Sequence, residues 1–428
     1  MNSSLLGMVR RFVGKAGKFA FFSILNRSVP FLLLPILTKY LSPADYGMVS
    51  LFSILTLTLM PIIGLNSNTI MLQRYFKSSE IERQQLISSS YAVMILVASI
   101  VMLMALLFSG ELTSWLKLPL NWLLLAVLAA LMGMIFTMFT TLLQIRQEVS
   151  RFGLAQLSQT IMNAGLSLLF VVVLGYGWQG RLSGIMVASC AMMLYSVYMN
   201  LNRGDIRVPM LLKPENMPHI VQNGLLLLPS SFAGAATAMS DRFLLAPKVS
   251  LKELGIYSAA IMICQILDVL YNAIGMAYMP IFFEKYHAES RGERRKAVLS
   301  SYAIVCLYLI LASLFAIVAP YIVEIMLNER YHSASVFLGW IAFGYAMMAS
   351  GSLLSNHIIA MENNSLVTAI SVVMLVAAVS INYFMIGING AKGASQALFL
   401  SGSFFLVINA FFSFKYNGGF MRVPPEEN

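Results

Sequence analysis

The chain has 428 residues, of which 59% are hydrophobic and only 11% are charged, with a mean hydropathy of +0.78. Soluble domains carry about 25% charged residues, so this composition excludes a soluble globular enzyme and points to an all-α polytopic membrane protein. A net charge of +10 would suggest a nucleic-acid partner in a soluble chain, so the placement of the basic residues has to decide that question.

The N-terminus is basic, with Arg10, Arg11, Lys15 and Lys18. The apolar run behind it is too long for a signal-peptide core and does not end in a small-residue cleavage site, which predicts an uncleaved first span. That span, Gly17 to Leu41, carries Arg27 near its middle together with Pro30 and Pro35. A cation at the centre of a spanning helix costs roughly 2.5 to 3.5 kcal/mol on insertion scales, so it is expected to face a partner or a water-filled cavity. The two prolines each remove a backbone donor, and such breaks are tolerated at membrane depth where other groups or water satisfy the freed carbonyls. Both features predict that the first helix lines an interior space.

At ~20 apolar residues per span, the sequence holds about twelve helices. Six run roughly from 19 to 38, 48 to 71, 86 to 108, 122 to 143, 154 to 174 and 182 to 199. A polar connector with Arg203, Asp205, Arg207, Lys213 and Glu215 follows, which divides the chain into lobes at residues 1–210 and 211–428. Six more run roughly from 221 to 246, 256 to 283, 298 to 326, 335 to 360, 367 to 386 and 394 to 414. The N-terminus and even-numbered loops hold 19 Lys and Arg, against seven, Arg181 among them, in the odd-numbered loops. By the positive-inside rule both termini are cytoplasmic. The basic excess is then a topology signal, and no nucleic-acid partner is expected.

The two halves echo each other. Gln73 to Val93 aligns without gaps on Glu284 to Ile304 at an offset of 211, with eight of 21 positions identical. DYGMVS from Asp45 echoes ELGIYS from Glu253, and GWQG from Gly177 echoes GAKG from Gly390. An even number of helices per copy keeps both in one orientation, so two pseudo-symmetric six-helix lobes should face a central cleft.

Several spans carry polar residues at steps of three and four, which place each set on one helix face. The fifth has Gln156, Gln159, Thr160, Asn163 and Ser167; the eighth has Gln265, Asp268, Asn272 and Gly275. The first adds Ser23 and Asn26 beside Arg27, and the second adds Asn66, Asn68 and Thr69. Lining of a polar cavity is one account of these rows, and packing between helices is the other. Asp268 falls about 20 Å from the outer start of its helix, so it and Arg27 both lie near the midplane, as an ion pair or as separate sites. Asp241 and Arg242 lie about a turn from the outer end of the seventh span, where snorkelling to the interface competes with a buried role. His357, near the inner end of the tenth span, is able to titrate near neutral pH, whereas Glu148 and Glu362 read as solvated helix ends. Cys190, Cys264 and Cys306 sit in apolar stretches without a CxxC pair, so neither a disulfide nor a metal site is expected. No phosphate loop, HExxH or nucleophile elbow occurs, and the first outer loop offers only Asp45 as a carboxylate, so an enzyme and a cofactor are not expected.

The segments Leu37 to Ile54, Ser240 to Ala260 and Ile381 to Ala397 resemble the glycine-aromatic starts of the second and eighth helices and the asparagine-to-glycine link between the last two helices in the O-antigen (Wzx-type) flippases. These are polysaccharide exporters of the multidrug/oligosaccharidyl-lipid/polysaccharide superfamily. The resemblance implies a MATE-like fold in the bacterial inner membrane and transport of an undecaprenyl-diphosphate-linked oligosaccharide from the cytoplasmic to the periplasmic leaflet. Arg27, with Arg242, would bind the diphosphate, and Asn26, Asn66, Asn68, Gln156, Gln159, Asn163, Gln265 and Asn272 would line the cavity. Asp268 and Asp241 are the candidates for coupling to H+ or Na+, membrane lipid would hold the isoprenoid tail, and the polymerase and chain-length machinery are further partners. The multidrug branch commonly has an essential carboxylate in the first helix, where this chain has an arginine, which favours an anionic substrate. The competing readings are a cation-coupled multidrug antiporter and a membrane glycosyltransferase or polymerase.

Overall fold

The computed structural model describes residues 22, 25–26, 28–76, 78–207, 216–286, 290–361 and 364–416, and among these every regular element is helical. Helices are what lipid demands, because each satisfies its own backbone groups. In chain order they are α1 (Ser28–Tyr40), α2 (Pro43–Gly64), α3 (Ser67–Arg74), α4 (Glu80–Leu107), α5 (Ser109–Leu116), α6 (Leu120–Ile145) and α7 (Val149–Leu168). A π-helical turn, Leu169–Val173, extends α7, and α8 (Gly177–Asn202), α9 (Met217–Leu245), α10 (Leu251–Tyr286), α11 (Arg291–Met326) and α12 (Ser335–Ile359) follow. The final stretch, Asn364–Tyr416, is broken at Gly390 into α13 (364–389) and α14 (391–416). Arg27, Ser23, His287 and Glu362 lie outside the described residues.

Nine of the described helical stretches are long and apolar enough to cross a membrane. The last of these is two spans, and α1 and the 29-residue α9 complete the twelve expected. The second span departs from expectation. Its helix ends at Gly64, Leu65 and Asn66 take positive φ angles of 40° and 53°, and α3 restarts at Ser67. Asparagine tolerates this left-handed backbone better than most residues, so Asn66 breaks a helix that its apolar neighbours would have continued to Met71.

The chain forms two compact units. The first holds the described residues up to Leu41 together with Met48–Ala235, and the second holds Ser42–Gly47 with the chain from Ala236 onward. The units divide inside α9, between Ala235 and Ala236, and not at the polar connector from which a boundary at 210/211 was expected. In the first unit Ile63, Met71, Ile87, Val93, Met94, Ala130 and Met138 belong to one apolar core. In the second, Tyr271 and Tyr308 each donate a hydroxyl hydrogen bond to the other's backbone carbonyl, at 3.2 and 2.9 Å, with ring centroids 4.7 Å apart. Two phenols are thereby buried with their polar tips satisfied.

The sequence echoes recur as matched local structure. Gly177 and Gly390, which open the last helix of each half, have φ angles of 56° and 55°, a backbone that strains any side chain. Tyr91 accepts from Asn200 Nδ2 at 2.8 Å, and its counterpart Tyr302 shares a hydrogen bond with Ser413 at 3.1 Å, so in each half the third helix is tied to the sixth at the same place. Asp45 and Ser42 cap α2 reciprocally, and Ser250 caps α10 through Glu253 N at 3.2 Å. Glu253 instead turns its carboxylate to Ala391 N at 3.0 Å, where it caps the first turn of α14. Gly47 and Gly255 hold the two echoing segments close in the second unit: a Cβ on Gly255 would stand 1.8 Å from the Pro43 carbonyl oxygen.

Candidate functional site

In the first unit the polar row of α7 finds its partners on the first helix. Asn26 Nδ2 donates to Gln156 Oε1 at 3.4 Å, and Thr160 donates to Asn26 Oδ1. The face that carries Gln156 and Thr160 therefore meets the first helix one residue from the position of Arg27, which itself lies outside the described residues. One turn further along, Asn163 and Ser167 accept from the guanidinium of Arg181 on α8. Arg181 had been counted among the outer-loop charges. It lies instead inside the first turns of α8, and its side chain reaches back to α7. The π-helical turn begins two residues after Ser167, and such turns are frequent at functional sites because they shift a helix face by one residue. Gln159 is half-buried on the same helix, Asn66 is buried at the α2–α3 break and Asn68 is half-buried in α3.

In the second unit Asp241 and Arg242 occupy the last turns of α9. Snorkelling does not describe them. Asp241 is 6% exposed, its Oδ2 accepts from Tyr257 at 2.6 Å, and Arg242 Nε stands 3.7 Å from Asp241 Oδ1. At that distance the pair is an ionic contact without a hydrogen bond, and both facing atoms are buried with no hydrogen-bond partner. Asp268 sits at the middle of the 36-residue α10, where Asn272 Nδ2 donates to its Oδ1 at 2.9 Å. Gln265 and Asn272 are exposed on that helix.

His357 is a satisfied core residue. Its ring nitrogens stand 2.6 Å from Ser413 Oγ and 2.9 Å from Ser301 Oγ, and the ring stacks on Phe282 at 4.8 Å. Glu148, expected as a solvated helix end, is instead held by Arg203 at 2.9 and 3.0 Å and by Arg151 at 2.7 Å. Burial works against the charge of the Glu148 carboxyl, but the hydrogen bonds from the two arginines outweigh it and keep the carboxyl below the usual carboxylate range. Beside it Arg146 makes a bidentate pair with Asp205 and donates from Nε to Tyr75 at 2.9 Å. Sequence reasoning missed this network, although charges of both signs at neighbouring span ends were its visible signal. Among the described residues no cluster of three or more His, Cys, Asp or Glu could hold a metal ion.

A family model described as "Polysaccharide biosynthesis protein" matches residues 17–286. An "Uncharacterized membrane protein" of Haemophilus influenzae is 22% identical over 260 residues, which cover 60% of this chain and 62% of the relative. The chain thus matches less than two thirds of that relative's length. Among solved structures, "Lipid II flippase MurJ, inward closed conformation" superposes with a TM-score of 0.74 at 12% identity, covering 93% of this chain and 87% of that one. A MATE family multidrug resistance transporter of the MOP superfamily is similar in its inward-facing form, with a TM-score of 0.65 at 14% identity over 90% of this chain and 93% of the other. Its outward-facing form gives 0.59 at 14% identity over 96% of each chain. At these identities the likeness is one of fold.

Proposed function

The chain belongs to the polysaccharide biosynthesis protein family and has the fold of multi-span MOP-superfamily transporters, and from that premise we propose that it flips an undecaprenyl-diphosphate-linked O-antigen oligosaccharide. The headgroup would pass from the cytoplasmic to the periplasmic leaflet of the bacterial inner membrane by alternating access, with both termini cytoplasmic. The observation that carries this reading is the family match together with the fold of a lipid II flippase. The residue chemistry agrees. A guanidinium pairs bidentately with phosphate oxygens, and Arg27 adjoins Asn26, which is bonded to the Gln156 and Thr160 row. Arg27 and Arg242 would bind the diphosphate, polar residues of the first, second, fifth and eighth spans would bind sugar hydroxyls, and the lipid tail would stay in the bilayer. Asp241 and Asp268 remain the candidates for coupling to H+ or Na+, and the polymerase and chain-length machinery the candidate partners.

The deciding experiment replaces Arg27. Arg27→Ala should abolish surface glycan at normal membrane levels of the protein, and Arg27→Lys should restore only part of it. Normal glycan in the alanine variant would remove Arg27 from the mechanism. The multidrug antiporter reading is favoured by the MATE likeness and by the buried Asp241. A deletion strain with altered drug susceptibility and intact surface polysaccharide would select it. A glycosyltransferase gains no support from a fold shared with transporters.

A further inference from the structure

The first unit contains a cavity of about 440 Å³ where the ends of α4, α6, α7 and α8 converge. By the distribution of Lys and Arg this end faces the cytoplasm. Four arginines and three carboxylates line it, so its charged groups sum to one excess positive charge. Arg146 is matched by Asp205, whereas Arg203 and Arg151 share the single carboxylate of Glu148. Arg83 lies over the Tyr75 ring at 5.0 Å, and among the described residues no carboxylate stands within ion-pair distance of it. Gln84, from the same turn of α4, is 94% buried in the wall, and its Oε1 accepts no hydrogen bond.

The second half of the chain supplies a control. At the same offset of 211 residues, His357 stands where the first half has Arg146. Among the described residues there, Phe282, Tyr286, Ala297, Val298 and Ala360 form one apolar cluster. The first half has at the corresponding place a cavity surrounded by charge.

We propose that this cavity binds a phosphate-bearing headgroup, with the phosphate on Arg83 and Arg151 and an adjacent hydroxyl or ammonium donating to Glu80. A phosphate diester or monoester carries about one to two negative charges, which offset the excess positive charge, and guanidinium groups match phosphate oxygens in geometry. A cavity of this size lies at the lower end of the roughly 300 to 1,000 Å³ of small-molecule sites, so it takes one headgroup or sugar phosphate and excludes an extended glycan. The proposal names no residue assigned to the diphosphate above and does not depend on the flippase reading.

The test uses the full-length protein, delipidated in detergent, and titrates dihexanoyl phosphatidylglycerol, glucose 1-phosphate and phosphate-free dihexanoylglycerol under native mass spectrometry. At least one phosphate probe should bind, and both Arg83→Gln and Arg151→Gln should weaken it about tenfold or more while dihexanoylglycerol stays unchanged. The Arg151 side chain is 65% exposed, so its replacement does not threaten folding, and Arg27→Ala should keep full affinity. Loss confined to the lipid arm identifies a membrane headgroup, and loss in the glucose 1-phosphate arm identifies a soluble sugar phosphate. Binding of neither phosphate probe, equal affinity in the arginine variants, or loss only in Arg27→Ala overturns the proposal.

Discussion

Tyr75 and Tyr286 stand 211 residues apart, and each carries an arginine over its ring, Arg83 at 5.0 Å in the first half and Arg294 at 5.6 Å in the second. The frame around them is shared as well, since Tyr91 meets Asn200 as Tyr302 meets Ser413. The halves part at the residue that closes each corner. Arg146 closes the first with a hydrogen bond to Tyr75 and a bidentate pair to Asp205, and the corner stays polar and hollow. His357 closes the second with two serines and a stacked phenylalanine, beside a cluster of buried apolar residues. A permanent cation has to keep acids or water beside it, whereas an imidazole bonded on both nitrogens can be sealed among apolar groups. The exchange of Arg146 for His357 is joined by others at the same offset, Glu148 against Ile359 and Gln84 against Arg295 among them, so the charged lining of the first corner is not repeated in the second.

The comparison breaks most visibly if the closing residues are exchanged. His357 is 1% exposed, so His357→Arg should bury a charge among Phe282 and Ala360 and destabilise the protein by roughly 3 to 5 kcal/mol, the scale of an uncompensated buried charge. Arg146→His breaks the Asp205 pair and the Tyr75 bond at side chains that keep some exposure, and should cost less, about 1.5 to 3 kcal/mol. Melting of the detergent-purified variants measures both, and equal losses would mean that the corners do not differ in the way described. Next in size is Asp205→Asn, which takes the acid from a pair whose side chains are 20% and 12% exposed. A loss of about 1.5 to 3 kcal/mol is expected, and a neutral result would show that solvent already screens the Arg146 contact.

A smaller difference sharpens the shared part of the frame. Tyr91→Phe removes the acceptor for a fully buried Asn200, whose Oδ1 already has no hydrogen-bond partner, and should cost about 1.5 kcal/mol. Tyr302→Phe should cost about half of that, because Ser413 keeps His357 at 2.6 Å. Reversed ranking of the two melting temperatures would deny His357 its bracing role.

How much of this was legible depends on the range of the physics involved. The spans, including the two joined at Gly390, are set by local hydropathy and by glycine in a left-handed backbone, and both are readable along the chain. The rows on the first and fifth spans were placed on helix faces from spacing alone, and Asn26 does meet Gln156 and Thr160. The break at Asn66 was hidden, because an apolar run says nothing about φ. Arg181 was misplaced because a charge near a span end looks the same whether it faces water or folds back on Asn163 and Ser167. The Arg146–Asp205 pair joins residues 59 positions apart, and a charge count by loop sorts such residues by side of the membrane without pairing them.

The smallest expected effect lies in the pH dependence of the open corner, and its sign follows from Glu148. Its folded-state pKa lies below its unfolded value, with burial opposing the shift and the hydrogen bonds from Arg203 and Arg151 outweighing burial. The stabilisation is therefore complete above the ordinary carboxylate value near 4.5 and disappears as the pH falls through the lower folded value. Arg151 is mostly exposed, so its share is screened, and the half-buried Arg203 contact carries most of the effect. The melting temperature of the wild-type protein should exceed that of Glu148→Gln at pH 7, and the gap should narrow as the pH falls below the ordinary carboxylate value near 4.5. Raising the salt concentration should narrow the gap at pH 7 only slightly, since a bidentate contact between partly buried groups is screened less than a surface pair. A gap that stayed constant at every acidic pH would show that Glu148 acts there through shape alone, and the open corner would then owe its form to Arg146 and Asp205.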